Sequence, residues 1–236
     1  MVELEVTDLV KRHRGREVLS GVSFTARPGR VTGFLGPNGA GKSSTLRILL
    51  GLDRPDGGRA LVGGVPFVRL PDPPRAVGAV LDGSGAHRAR TGRAHLTWIA
   101  QAAGVPRPRV DEVLDLVGLH GAARTKVGKY SLGMGRRLAL AAAVLAEPAA
   151  LVLDEPVNGL DPEGIRWIRT FLREYAAAGH TVLLSSHLMA EAAETVDDVV
   201  ILNRGRVVTS GTLAEVTGGH RSLEEAFFQL VEEGVR

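Results

Sequence analysis

The sequence predicts an α/β protein built on a largely parallel sheet with a helical insertion, and three observations predict it. First, an apolar run at residues 31–35 ends in Gly36-Pro37-Asn38-Gly39-Ala40-Gly41-Lys42-Ser43, a full match to G-x-x-x-x-G-K-[ST]. A helical pattern follows it, with Leu46, Leu49 and Leu50 at helical spacing. Second, from about residue 147 short apolar runs alternate with helical stretches, the rhythm of βαβ units. Third, amphipathic helices replace that rhythm between about residues 83 and 146.

The elements follow in order. Residues 2–9 alternate and read as a strand, 11–17 as a polar turn, and 18–26 as a second strand closed by Pro28-Gly29. The strand at 31–35 and the helix at 42–50 flank the glycine-rich loop. Residues 53–58 form a loop by their turn chemistry, 59–62 a short strand, Pro71 to Pro74 a break, and 77–81 another strand. Helices are expected at 93–103, 110–117 and 131–146. Then come strand 150–153, helix 162–177, strand 181–185, helix 188–195, strands 199–202 and 206–209, and a terminal amphipathic helix at 222–233. One domain is expected over residues 1–218, with its core at about 1–82 and 147–218, its helical part at about 83–146, and the C-terminal helix in 219–236.

Composition narrows the function. A chain of 236 residues buries a full core. It has no cysteine, which excludes disulfides and thiolate metal sites. The start carries neither a basic n-region nor an apolar h-region, so no signal peptide is expected, and no apolar run approaches a membrane span. The net charge of +3 reads as a solvated surface. No basic stripe is interleaved with aromatics, and no nucleic-acid partner is expected.

The glycine-rich loop has the chemistry of a phosphate cradle. Glycines let backbone N–H groups turn into a concave nest, and the following helix directs its positive end at the anion. Lys42 supplies a cation, the Ser43 hydroxyl can ligate Mg²⁺, and Ser44 continues the helix start. Asp154 and Glu155 close the apolar run 150–153, where parallel sheets place their ligands. Asp154 is expected to hold Mg²⁺ opposite Ser43, and Glu155 to activate or orient the attacking water. His187 follows the next strand and should reach the same edge. His87, His95, His120, His180 and His220 read as structural or solvated. Asp161-Pro162 has the form of a helix cap, Asp161 at N-cap and Pro162 at the first helical position. Ser131, with a free hydroxyl before an Ala/Leu helix, offers a second anion site, although a serine there is most often only a cap.

Together these residues resemble the nucleotide-binding subunit of an ATP-binding cassette (ABC) transporter from about Val2 to Gly211. Gly36 to Ser43 is similar to Walker A, Leu151 to Glu155 to Walker B with its catalytic glutamate, Asn158 to Asp161 to the D-loop, and His187 to the switch histidine. Tyr130 to Met134 stands in place of the signature, keeping Ser131 and Gly133. The resemblance implies a P-loop NTPase fold: a RecA-like core, an antiparallel β subdomain and an inserted helical subdomain. It implies ATP and Mg²⁺ as ligands and catalytic roles for Lys42, Glu155 and His187. It implies a homodimer that sandwiches two ATP between Walker A of one copy and the Ser131–Gly133 segment of the other. It further implies a separate transmembrane permease contacting the surface around Asp82 to Arg93, and a peripheral place on the cytoplasmic face of the membrane. The signature, the D-loop and the tail Ser222 to Phe227 look like those of bacterial drug and antibiotic exporters. A soluble ABC-type ATPase and a nucleotide-responsive regulator with weak turnover are the alternatives. Three positions depart from the pattern: His13 stands where an aromatic stacks on adenine, Asp82 where the Q-loop has glutamine, and Leu132 and Met134 replace glycine and glutamine in the signature. Imidazole stacks with less area than tyrosine. The Asp82 carboxylate could ligate Mg²⁺.

Overall fold

The structure, a computed structural model, describes residues 1–81 and 85–233. The Asp82 expectation lies outside them. Strands β1 (Leu4–His13) and β2 (Arg16–Ala26) form a hairpin, and β3 (Val31–Leu35) leads into α1 (Lys42–Leu49). Strand β4 (Gly57–Val62) returns to pair with β1, and the single turn α2 (Pro73–Ala76) precedes β5 (Val77–Val80). Helices α3 (Gly92–Ala102), α4 (Pro108–Leu116) and α5 (Leu132–Val144) pack on one another. The chain continues through β6 (Ala150–Asp154), α6 (Pro162–Ala177), β7 (Thr181–Ser186) and α7 (Met189–Ala193). It ends with β8 (Asp198–Asn203), β9 (Arg206–Thr212), α8 (Leu213–Thr217) and α9 (Leu223–Glu233).

Two sheets result. The smaller is antiparallel, in the order β2-β1-β4. The larger runs β5-β6-β7-β3-β8-β9 and is parallel apart from β9, which pairs antiparallel with β8.

The apolar runs without alternation have a direct cause, which is that the larger sheet is buried on both faces. Val31, Leu35, Leu151, Leu153, Val182, Leu184, Val199 and Ile201 face one core, shared with α3–α6. Phe34, Val152, Leu183, Val200 and Leu202 face the other, shared with α1 and the smaller sheet. Phe24 of β2 stacks on Phe34 of β3 with ring centroids 4.8 Å apart, joining the sheets.

Several expected bounds shift. The polar stretch 11–17 is mostly strand: His13 pairs with Arg16, and only Arg14 and Gly15, at φ +50° and +80°, make the turn. A two-residue turn of this kind continues the ladder, and backbone pairing tolerates polar side chains at an exposed tip. The break at 71–74 holds α2, since Asp72 caps it and proline is tolerated in a first turn. Strand β9 runs on to Thr212, and α8 follows at once, held by a Thr212/Glu215 capping box.

Candidate functional site

Strand order brings the predicted groups together. β6, β7 and β3 are parallel neighbours whose carboxyl ends coincide: Asp154 pairs with Ser185, and Ser186 with Leu35. The Gly36 amide donates to Ser186 O at 3.2 Å, tying the start of the glycine-rich loop to the end of β7. A Cβ at Gly36 would lie 2.1 Å from Leu202 O, so no larger residue fits this crossing. Gly41 caps α1 at φ +111°, a conformation that favours glycine.

The loop is rich in unused donors. Among the described residues, the amides of Gly39, Gly41, Lys42, Ser43 and Ser44 meet no acceptor. The Lys42 ammonium adds charge: the side chain is buried, and its Nζ donates to Gly36 O at 2.7 Å and Pro37 O at 3.2 Å. Free amides, a helix N-terminus and an ammonium suit an anion, and this donor set fits a polyphosphate.

The acidic side of the site is as ordered. Asp154 is only 7% exposed, and the buried Ser185 hydroxyl donates to its Oδ1. The same hydroxyl accepts from the Glu155 amide at 3.1 Å. Glu155 sits at φ +50°, an unfavourable conformation for a residue with a Cβ. That peptide turns its carboxylate back across the sheet. Oε1 lies 3.6 Å from Lys42 Nζ, and Oε2 lies 2.9 Å from His187 Nδ1. Lysine from the start of α1 and glutamate and histidine from two strand ends thus form one connected chain of groups.

Ser185 is the member that sequence patterning passes over. Its signal is position, since it is a hydroxyl one strand beyond an Asp-Glu pair. Among the described residues no cluster of three or more His, Cys, Asp or Glu could hold a metal. A cation on the expected pair, Ser43 and Asp154, would have to take its remaining ligands from phosphate and water. That is how Mg²⁺ is commonly held beside a nucleotide.

The other predicted residues stand apart. His13 is exposed at the end of β1; the hairpin it belongs to leads to Leu19, whose Cδ2 would be 2.5 Å from a Cβ on Gly41. The Ser131 hydroxyl is not free, because it caps α5 by accepting from the Met134 amide at 3.2 Å. Its O–H can still donate. The Ser131–Met134 segment packs on the Asn158–Asp161 turn: Leu132 Cδ2 would lie 2.2 Å from a Cβ on Gly159, and Gly133 faces Leu160. No hydrogen bond or ion pair links Ser131 or Gly133 to residues 36–44, Asp154, Glu155 or His187 among the described residues. Asp161 caps α6, accepting from the Gly164 amide at 2.8 Å, with Pro162 at the first helical position. Burial pushes the His95 imidazole below its ordinary range, in keeping with a structural histidine.

Comparison with known proteins gives matching results. The family profile described as ABC transporter matches residues 19–158. The uncharacterized ABC transporter ATP-binding protein YhcH of Bacillus subtilis (strain 168) is 40% identical over 208 residues, 87% of this chain and 68% of that protein. The bacitracin transport ATP-binding protein BcrA of Bacillus licheniformis is 36% identical over the same shares, 87% of this chain and 68% of its own. A solved structure described as an ATP binding subunit of an ABC transporter superposes with a TM-score of 0.87 at 30% identity, covering 97% of this chain and 99% of that one.

Proposed function

The chain belongs to the ABC transporter family of ATP-binding, ATP-hydrolysing subunits, and from that premise we propose how its residues do the work and what the work is for. The observation that carries the reading is the Lys42–Glu155–His187 chain at the mouth of the phosphate loop.

The loop amides and Lys42 take the β- and γ-phosphates of ATP. Lys42 then shares its charge with phosphate instead of holding Glu155 alone. Glu155 Oε2 stays fixed by His187, so the carboxylate orients the water in line with the γ-phosphorus and accepts its proton. Ser185 holds both Asp154 and the Glu155 peptide in place. Ser43 and Asp154 would hold Mg²⁺, which would supply charge neutralisation at the phosphates. His13 lies against the adenine.

Among the described residues no hydrogen bond or ion pair joins Ser131 or Gly133 to their own chain's phosphate loop, yet they form a second helix start with a donor hydroxyl. They complete the site of a second copy in a homodimer, so that two ATP are enclosed between two chains. Closure and reopening of that dimer, held peripherally on the cytoplasmic face of the membrane, drive export through a separate transmembrane permease. Among the described residues no helix is long and apolar enough to cross a membrane. The bacitracin-transport relative supports an exported antibiotic or similar drug as cargo.

The test is Glu155→Gln. The variant binds ATP as the parent does, turns it over at least about 10²-fold more slowly, and accumulates as an ATP-bound dimer in size-exclusion chromatography. Undiminished turnover in the purified variant would remove Glu155 from its role. Co-purification with a multi-span membrane protein tests the permease separately.

A further inference from the structure

A cleft of about 580 Å³ lies between the helical part and the core. Arg109 and Leu116 of α4 line it from the helical part, and Phe171 and Tyr175 of α6 from the core. The volume is that of a small-molecule site, and such sites favour the junction between structural units. None of its lining residues falls in 36–44, 82–93 or 130–134. Neither the phosphate loop, the permease surface nor the Ser131 segment therefore accounts for it.

One wall is a row of rings. Trp167, Phe171 and Tyr175 stand four residues apart on α6 and so share one helix face. Their centroids are 5.9 Å and 5.7 Å apart in turn. The row ends on His180, whose ring stacks on Tyr175 at 4.4 Å. At its other end the Arg137 guanidinium of α5 lies 4.5 Å from the Trp167 centroid. The Tyr175 hydroxyl donates to Pro148 O, which fixes that ring, and Leu116 is 44% exposed beside the cleft. The charge at the rim is negative in excess. Arg109 Nη1 lies 2.8 Å from Glu112 and 3.5 Å from Glu147, so two carboxylates share one guanidinium. Glu174, also at the rim, has no cation within 4.0 Å among the described residues. Arg173 beside it reaches Thr195 O instead.

Ring faces beside excess carboxylate suit a cation that carries rings of its own. The rings take its apolar body and, with the carboxylates, its charge. We propose that this cleft is a regulatory site for a small aromatic cation. An anion of the same shape would meet Glu147 and Glu174 as like charges. A metal ion fits poorly, since among the described residues no three His, Cys, Asp or Glu could hold one. Because the cleft takes one side from the helical part and the other from the core, a ligand touching both holds them in one relation. Arg137 joins the same row of rings to α5, whose start carries Ser131. An occupied cleft therefore restrains the helix that meets the second copy's ATP, and turnover slows. That effect rests on the dimer reading above; the site itself does not.

The probe is tetraphenylphosphonium, with tetraphenylborate as the anion of the same shape. Equilibrium dialysis of the purified full chain should show the phosphonium bound and the borate at least about ten-fold weaker. Trp98→Phe leaves Trp167 as the sole indole, and its emission should change as the probe fills the cleft. Glu147→Gln with Glu174→Gln should weaken binding about ten-fold, at roughly three-fold per carboxylate, with turnover unchanged when no probe is present. Glu174→Gln alone, at an exposed helix position, should weaken it about three-fold and stands in where the double variant fails to fold. Saturating phosphonium should slow the parent's ATP turnover at least about five-fold, and the double variant should escape at the same concentration. No binding up to about 1 mM overturns the site. So does equal binding of the borate, a fixed Trp167 emission, or binding that ignores the substitutions, each of which marks apolar adhesion only. Phosphonium bound in the cleft with turnover unchanged overturns the regulation. Dialysis repeated on Glu155→Gln reads the site without turnover, so the site and the ATPase reading fail separately.

Discussion

Ser185→Ala deletes one oxygen atom from the centre of the site, and the structure gives the size of the effect. The hydroxyl is fully buried, donates to the Asp154 carboxylate and accepts from the Glu155 amide at 3.1 Å. A hydrogen bond to a charged group contributes about 1.5–3 kcal/mol, and a buried amide left unpaired costs about 1–3 kcal/mol. The two share one atom and do not simply add, so the expected loss is roughly 3 kcal/mol. For a chain of this length each kcal/mol moves Tm by about 2–4 °C, which places the variant about 6–12 °C below the parent. Thermal and urea unfolding followed by circular dichroism measure this, and the urea slope should stay constant. ATP turnover at 25 °C should fall as well, although the variant is folded there, because Glu155 loses the bond that steadies its peptide at φ +50°. A Tm within about 1 °C of the parent, with turnover intact, would refute the claim that this hydroxyl organises the acidic pair.

Three further outcomes are expected. Gly36→Ala puts a methyl 2.1 Å from Leu202 O, so the loop must move; binding of a fluorescent ATP analogue should weaken by at least about 10²-fold. Asp161→Ala removes the α6 cap and should cost about 1 kcal/mol in urea unfolding, with Asp161→Asn restoring most of it. Burial holds the Tyr175 phenol well above its ordinary value of 10.0, so its contribution to stability is complete below that value and is lost as pH rises toward the folded-state value. Tyr175→Phe should lose about 1 kcal/mol at neutral pH for the missing bond to Pro148 O, and should show a flatter decline as pH rises above about 10.

Much of the site was legible because phosphate chemistry imposes local patterns. A nest of amides needs glycines at fixed spacing, and a parallel strand ends where its ligands begin, so Gly36 to Ser43, Asp154, Glu155 and His187 each carry their own signal. Ser185 carries only its position at a strand end, and its meaning comes from β6 lying beside β7 in the register that sets Asp154 opposite it. The sequence leaves Ser131 open between an anion site and a cap, and the fold makes the cap, because the helix start at Leu132 brings the Met134 amide within reach. Elements with strong periodicity, such as α6, end where the pattern ends. The polar hairpin tip of β1 and β2 does not, because ladder bonds are made by backbone and leave no mark in side-chain polarity.

By itself, then, the sequence determined the phosphate loop, the α/β class and the acids at the strand ends, since each depends on residues adjacent along the chain. Tertiary structure alone decided that Lys42, Glu155 and His187 meet, that Glu155 must adopt a positive φ to do so, and that Leu116 of α4 shares a cleft with Tyr175 of α6. Those facts depend on strand order, register and the packing of helices distant in sequence. Such pairings are fixed by burial across the whole molecule and not by the local residue types that a sequence displays.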